Sequence, residues 1–554
     1  MRPEPVSAVS ALPRLLAACD AIGQDPAGWT LADLFAPLDR LLVTGGDPRI
    51  RIDPATRVNG YGCRPSPCPD LLSFASCTAT SISRRAYRRA GEAREALMQA
   101  AIADGLEAAF DARQEAMRDE LKASLALSPQ DAEVVFSPSG TDAQLQALYL
   151  ARALLGPALT TLIVAADQTG SGTAYTARGR HFGDTTANGT AVPKGEPIEG
   201  LAEGVASIGL AWREGNGGLC SIAKTDARVL RAVEQSIANG SGVLLQIMDS
   251  SKFGWRAPSD QCLDELARRF PGRVQVVVDA CQMRLGRPRL RKYLERGYIV
   301  MITGSKFFTG PAFSGALLVP RSLASSIDAT GAETGLCDYT SRSDWPIRWA
   351  SLRARFPVRA NFGQWLRWEA ALAEIRAYYA VPDEFRRLAL ATFSKAVQRR
   401  IAASRSLKPL SLRQGLRQAG DDDDELALPS IFPFLVTRDD RVFSPGECRA
   451  IYRALARDVG IAAPARGAEF PELAAKPCLI GQPVALGEVN RQPAAALRIC
   501  AGARLVTEAW SPDPDVARGN LRREIDRVGA VVAKIEWLVK QGNAIDVVET
   551  INEA

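Results

Sequence analysis

The sequence predicts an α/β fold in which a mostly parallel sheet is covered on both faces by helices. Between Glu133 and Pro320, apolar runs of four to seven residues alternate with helical stretches. These runs are apolar at successive positions, which is typical of parallel strands buried on both faces. Strands and helices recur after residue 405, which predicts a second, smaller C-terminal α/β domain.

Each element of this prediction has its own sequence signal. The predicted strands are VVF at 134–136, LIVAAD at 162–167, VLLQIMD at 243–249, VQVVVDA at 274–280, YIVMITG at 298–304, SGALLVP at 314–320, IFPFLV at 431–436 and ALRICAGARLV at 496–506. The predicted helices are 84–127, 143–155, 262–270, 345–405 and a terminal helix from about Asn520, as N-cap, to Gly542. Residues 61–82 are predicted to be irregular, and the acidic run 421–425 to be an exposed loop.

A chain of 554 residues is too long for one small core. We expect a helical arm and pocket-lining segment at 1–95 and a large sheet domain at 96–330. Connecting helices at 331–405 and a small domain at 406–554 follow.

Composition excludes several classes of function. The net charge of +6 comes without a basic run interleaved with aromatics, so nucleic-acid binding is not indicated. Eleven cysteines without a CxxC pair argue against a disulfide framework or structural zinc, and a single histidine, His181, leaves no basis for a histidine-based metal site. The sequence contains no run of eighteen apolar residues, so no membrane span is predicted, and the N-terminus is a poor signal peptide. We therefore expect a cytoplasmic protein.

Ligands of parallel sheets bind at the carboxyl ends of the strands, so the residues after each run carry the functional argument. Ser139, Gly140, Thr141 and Asp142 lie between a strand and a helix. The free N–H groups of a helix N-terminus and a close backbone approach at glycine suit a phosphate. The alternative is an ordinary N-cap.

Asp279 ends a strongly apolar strand. A carboxylate in that position is costly unless it meets a cation, such as a protonated pyridine nitrogen. Gln282, three residues further on, could reach a hydroxyl on the same ring. The alternative is an aspartate that caps the next turn.

Lys306 follows the next buried strand and is surrounded by Thr303, Gly304 and Ser305. A desolvated lysine has a lowered pKa and becomes an amine nucleophile, and small hydroxyl neighbours suit a phosphate. The alternative is a snorkelling lysine at a strand end.

The order and spacing of these motifs resemble fold-type I pyridoxal-phosphate (PLP) enzymes, within the class V aminotransferase and cysteine desulfurase branch. The resemblance covers residues 70–320 clearly and 345–510 loosely. It implies the aspartate-aminotransferase-like fold of PLP-dependent transferases, with a Schiff base on Lys306 and Asp279 at the ring nitrogen. The residues that it places on the cofactor are Gly140, Thr141, Asp142, Thr169, Ser250, Asp279, Gln282, Thr303, Ser305 and Lys306.

Further segments extend this resemblance. FASCTATSIS at 74–83 is similar to a pocket-lining segment, which implies that Cys77 and Thr78 contact substrate. IGQP at 480–483 and LRICAGARL at 497–505 are similar to a small-domain pair whose arginine, here Arg498, grips the substrate carboxylate. The alternative for Arg498 is a surface strand arginine.

Two positions depart from the branch. The histidine that stacks on the ring is missing after LIVAAD, which leaves Thr169 or Gln168 to cover the ring. The desulfurase nucleophile would fall at Ile480, and Cys478 is two residues away.

The resemblance implies an enzyme that acts on the amino group of an amino acid or related amine, as an aminotransferase-like homodimer. Carbon–sulfur lyase or desulfurase activity is the alternative, because the cofactor sets the chemistry and the pocket selects the bond. A third hypothesis is a PLP-fold protein that has lost catalysis, and the presence of Lys306 and Asp279 argues against it.

Overall fold

Two β-sheets organise the chain. The computed structural model describes residues 29–214, 218–328, 335–410, 425–457, 475–489 and 491–541. The strands are β1 Leu72–Phe74, β2 Ala132–Ser137, β3 Leu159–Val164, β4 Val205–Leu210, β5 Gly242–Met248, β6 Val274–Asp279, β7 Ile299–Thr303, β8 Gly315–Pro320, β9 Leu407–Pro409, β10 Ile431–Arg438, β11 Arg441–Val442, β12 Cys478–Val489 and β13 Gln492–Cys500.

The large sheet has seven strands in the order β2-β8-β7-β6-β5-β3-β4. The pairs from β4 through β7 are parallel, and β8 alone runs against its neighbours β2 and β7. Successive residues of β7 enter two different apolar clusters, with Val300 and Ile302 on one face and Ile299 and Met301 on the other. Burial on both faces therefore explains the uninterrupted apolar runs, and the predicted α/β class with a mostly parallel sheet is confirmed.

Eleven helices of seven or more residues are present in the described part of the chain. They are α1 Arg84–Asp104, α2 Leu106–Ser124, α3 Gly140–Leu155, α4 Ile222–Ala238, α5 Asp260–Arg269, α6 Arg287–Glu295, α7 Phe362–Tyr379, α8 Asp383–Ala403, α9 Pro445–Leu455, α10 Ala503–Ala509 and α11 Pro514–Gln541. Serine caps begin several of them, including Ser83 at α1 and Ser139 at α3.

The smaller sheet contains β1, β12, β13, β10 and β11 in that order, with β9 paired to β10. Its strand β1 comes from the N-terminal part of the chain and pairs in parallel with β12, Leu72 opposite Cys478. Residues just after β1 are thereby brought beside the C-terminal strands. The predicted smaller C-terminal α/β unit is present.

Several predicted boundaries were wrong. The helix predicted at 84–127 is interrupted at Gly105, whose φ of 84° a helix cannot contain. The terminal helix begins at Pro514 instead of Asn520, because the Asp513 carboxylate accepts hydrogen bonds from the amides of Asp515 and Val516 at 2.8 and 3.3 Å.

Other predictions are corrected or lie outside the described residues. The long helix predicted from 345 starts only at Phe362, and residues 503–506 of the predicted ALRICAGARLV strand belong to α10. Residues 421–424 and Gly542 lie outside the described residues. No helix in the described part of the chain is both long enough and apolar enough to span a bilayer.

Candidate active site

Three strand ends that are distant in sequence meet at one edge of the large sheet. β6 and β7 are neighbours, with Asp279 opposite Met301, and β8 links β7 to β2. A methyl group added to Gly140 would lie 2.7 Å from Cys281 Sγ and 3.3 Å from Thr303 Cγ2. The glycine turn after β2 therefore touches the segments that follow β6 and end β7.

Asp279 lies at the carboxyl end of β6 and is buried. Its Oδ1 accepts a hydrogen bond from the Cys281 amide at 3.1 Å. Burial raises the pKa of this carboxyl, and the nearby Asp249 carboxylate raises it further. Within the described residues Asp279 forms no ion pair, so its environment suits a bound cationic group.

Lys306 is half-buried three residues beyond β7. Its Nζ donates a hydrogen bond to the Thr78 carbonyl and lies 5.2 Å from the centroid of the Phe313 ring. Burial lowers the pKa of the amine to about 8, and the charges of Arg49 and Arg498 act in the same direction. The amine is thus available in its neutral, nucleophilic form near neutral pH.

The turn before α3 is held by its own side chains. Ser139 Oγ accepts from the amides of Thr141 and Asp142 at 3.1 and 3.2 Å and donates to Asp142 Oδ2 at 2.6 Å. Burial raises the pKa of Asp142 to about 7, and the Asp47 carboxylate contributes. Asp142 therefore anchors the turn. Near neutral pH its carboxyl is only partly ionised, which limits its repulsion of a nearby anion.

The hydroxyls beside Lys306 differ in their bonding. Thr303 Oγ1 donates to the Cys281 carbonyl at 2.7 Å, so its hydroxyl must turn before it can donate to a phosphate. Ser305 Oγ is fully buried and has no hydrogen-bond partner in the described part of the chain. A buried hydroxyl without a partner suits a ligand oxygen.

Arg49 joins this group, although the sequence argument missed it. Its Nη2 donates to Thr141 Oγ1 at 3.2 Å, and its Nε donates to Asp47 Oδ1 at 2.8 Å. The guanidinium lies 5.1 Å from the centroid of Phe313, the ring that Lys306 also faces. It also borders a cleft of about 240 Å³ that is lined in addition by Ser171, Gly172, Phe182, Gly183, Asp184 and Lys194. Arg49 thus adds a cation beside the glycine turn.

The other residues predicted on the cofactor lie around the same edge. Gln282 donates through Nε2 to the Cys77 carbonyl at 3.1 Å, and its Oε1 accepts from Arg284 at 2.8 Å. Thr169 is buried after β3 and donates to the Ala166 carbonyl, and Ser250 is buried after β5. Gln282 therefore joins the segment after β6 to the pocket-lining segment.

The predicted substrate residues also converge. A methyl on Gly481 would lie 2.6 Å from Cys77 Sγ and 3.0 Å from Arg498 Nε. Arg498 donates to the Gln482 carbonyl at 2.8 Å, and the Gln482 amide donates to Thr78 Oγ1 at 3.2 Å. Arg498 is buried rather than on the surface, and its Nε has no partner among the described residues.

The Gln-Pro pair lies inside β12, not in a separate turn. The pairing register shifts between Gly481 and Val484, and this bulge brings Gln482 beside Thr78.

The thiol of Cys77 is unusual for a buried cysteine. Burial alone would raise its pKa, but hydrogen bonding with Cys500 and the charges of Arg498 and Arg284 lower the pKa overall. Cys77 is therefore a candidate for thiolate chemistry.

Lys252 is a second lysine at this site that the sequence argument missed. It lies in the turn after β5, and its carbonyl accepts from Arg498 Nη1 at 3.1 Å. Burial lowers the pKa of its ammonium to about 8, as does the charge of Arg498. Its position two residues after Ser250, a predicted cofactor residue, was the only available signal.

Two residues considered from the sequence lie elsewhere. Cys478 is fully buried in β12, where its thiol contacts the Lys476 carbonyl at 3.3 Å, and burial raises its pKa to about 11. His181 is buried with Nδ1 2.7 Å from the Tyr339 hydroxyl, and its ring stacks on the Tyr339 ring. Both make contacts typical of core residues.

Comparison with known proteins finds similar solved structures only at low identity. No family model and no curated protein matches the chain. A complex of the cystine C–S lyase C-DES with its reaction product cysteine persulfide is 14% identical, with a TM-score of 0.46, over 82% of this chain and 97% of that chain.

Two further structures match similarly. A lysine-to-alanine variant of C-DES with glycine covalently linked to its PLP cofactor is 14% identical, with a TM-score of 0.45, over 83% and 97% of the two chains. A NifS-like protein is 12% identical, with a TM-score of 0.46, over 85% and 99%. At TM-scores below 0.5, the function rests on the side chains described above.

Proposed function

We propose that this protein is a fold-type I PLP-dependent enzyme that acts on the amino group of an amino acid or related amine. The observation that carries this proposal is the meeting, at one sheet edge, of the Lys306 amine, the buried Asp279 carboxylate and the glycine turn. Each of these groups, taken alone, could have a purely structural role. No structural role requires all three of them in one place.

The residues fit the cofactor part by part. Asp279 would hold a proton on the pyridine nitrogen, and Lys306 would bind the aldehyde carbon. The Ser305 hydroxyl, the Gly140 turn and the Arg49 guanidinium would take the phosphate. When bound, PLP supplies an electron sink for negative charge at the carbon beside the substrate's amino group.

The chain's own residues would then position and move protons. Arg498 lies near Lys306, with its Nη2 3.4 Å from Thr78 Oγ1, and would orient a substrate carboxylate. The Lys306 amine, whose pKa burial lowers to about 8, would carry a proton to and from the substrate carbon.

Within this family we propose the class V aminotransferase branch and a homodimer. A second candidate is carbon–sulfur lyase or desulfurase activity, which the Cys77 thiol favours, because its lowered pKa makes it a candidate sulfur acceptor. Keto-acid formation identifies a transaminase and sulfide release a lyase. Sedimentation tests the dimer.

The deciding experiment is reconstitution with PLP. We expect an absorbing adduct that borohydride fixes to the peptide containing Lys306. Lys306→Ala should lose the fixed adduct and keep the fold by circular dichroism. Lys252→Met, a change at the other lysine of the site, should keep the adduct on Lys306. A wild-type protein that takes up no PLP contradicts the proposal.

A further inference from the structure

The backbone of Lys252 is held in a turn at the edge of the proposed active site. The Ser251 hydroxyl accepts from the amides of Phe253 and Trp255, each at 3.1 Å, which pins the turn. The Lys252 carbonyl accepts from Arg498 at 3.1 Å, which joins the turn to β13. The side chain therefore starts from a rigid point beside the proposed carboxylate-binding arginine.

The charged groups near the Lys252 ammonium come from both ends of the site. They are the Arg498 guanidinium, the carboxylates of Asp167 and Asp279, and the Cys77 thiol. The ammonium is thus near both Asp279, which would anchor the cofactor ring, and Arg498, which would bind the substrate carboxylate.

No acceptor in the described part of the chain meets this ammonium. In the described residues, Lys252 Nζ forms no hydrogen bond or ion pair. The nearby Asp167 already accepts from the amides of Trp212 at 2.7 Å and Arg213 at 3.3 Å. Asp279 is the proposed partner of the cofactor. An anionic ligand at Lys252 therefore competes with no acceptor of the described residues.

A structural lysine of this chain is bonded quite differently. Lys534 is fully buried, and its Nζ donates to the carbonyls of Leu455, Arg457 and Lys476 at 3.0, 2.7 and 2.7 Å. A partly desolvated ammonium without such acceptors is costly, and an anionic ligand group compensates by a charge-assisted hydrogen bond.

We propose that the substrate carries a second anionic group, as in an amino acid with an acidic side chain, and that Lys252 binds this group while Arg498 binds the α-carboxylate. This inference rests on the proposed PLP chemistry and narrows its substrate class. Lys252 then determines specificity, because a neutral side chain cannot accept a charge-assisted hydrogen bond from its ammonium.

The test compares two ligands of equal chain length on PLP-loaded protein by isothermal titration calorimetry. Succinate carries two carboxylates, and butyrate carries one. We expect succinate to bind about ten- to a hundredfold more tightly to the wild type, as is typical of a charge-assisted contact. Lys252→Met should lose this preference with butyrate binding unchanged, and Lys252→Arg should retain part of it.

The outcomes separate the two proposals. Equal binding of succinate and butyrate to wild-type protein overturns the inference without any variant, and so does a Lys252→Met protein that keeps the preference for succinate. Failure of the wild-type protein to take up PLP overturns the proposed function instead. Uptake of PLP by Lys252→Met, followed through its absorbance, shows that a lost preference is not a lost cofactor.

Discussion

The rate at which Lys306 captures PLP should rise with pH around a midpoint near 8. Burial lowers the pKa of its amine from 10.5 to about 8. Only the unprotonated amine attacks the aldehyde, so the rate increases as pH rises through this pKa. At pH 7 about 0.03% of an ordinary lysine is unprotonated, against about 9% at a pKa of 8, a gain of about 300-fold.

The assay mixes cofactor-free protein with PLP between pH 6.5 and 10, stops samples with borohydride and quantifies the modified peptide. The Lys252→Met protein is the matched control, because it removes the other lysine with a pKa near 8 and should leave the midpoint in place. A midpoint above 9.5 for the Lys306 peptide, or labelling that favours other lysines, refutes the assigned environment.

Three further predictions test individual residues. Asp279→Asn should bind PLP yet lose most reactivity with amines, because the ring nitrogen no longer keeps its proton; rapid substrate turnover by this variant counts against the pairing. Arg498→Ala should weaken butyrate binding by about ten- to a hundredfold in calorimetry, since it removes a charged donor for the carboxylate. Cys478→Ser should retain most activity in steady-state kinetics because its thiol lies in the core of the small sheet; abolished turnover with a normal fold would assign this thiol a role.

The central strands of the large sheet were predictable because burial on both faces requires apolar residues at successive positions of the sequence. β4 was missed for the opposite reason. It is an edge strand with partly exposed residues, and its sequence VASIGL has neither a long apolar run nor a clear alternation. The start of α11 was misplaced because Asn520 is a good N-cap type, whereas the Asp513–Pro514 pair supplies the actual signal.

The residues of the candidate site also fall into a predictable and an unpredictable group. Gly140, Asp279 and Lys306 follow strands of one sheet, so strand order alone brings them together. Arg49 and Lys252 come from turns whose neighbours depend on packing between distant segments. Arg49 reaches Thr141 across 92 residues, and Lys252 meets Arg498 across 246. No local sequence pattern predicts such contacts. In the sequence, a lysine or arginine of the site looks the same as one on the surface.

The pairing of β1 with β12 has a consequence for the order in which the protein matures. The Thr78 carbonyl accepts a hydrogen bond from the Lys306 amine, and the Thr78 hydroxyl accepts one from the Gln482 amide, 404 residues later in the chain. During translation, Lys306 is therefore synthesised well before the strand that completes its surroundings. Stable cofactor loading should follow translation, and polypeptides stalled before β12 should emerge with an unfinished pocket.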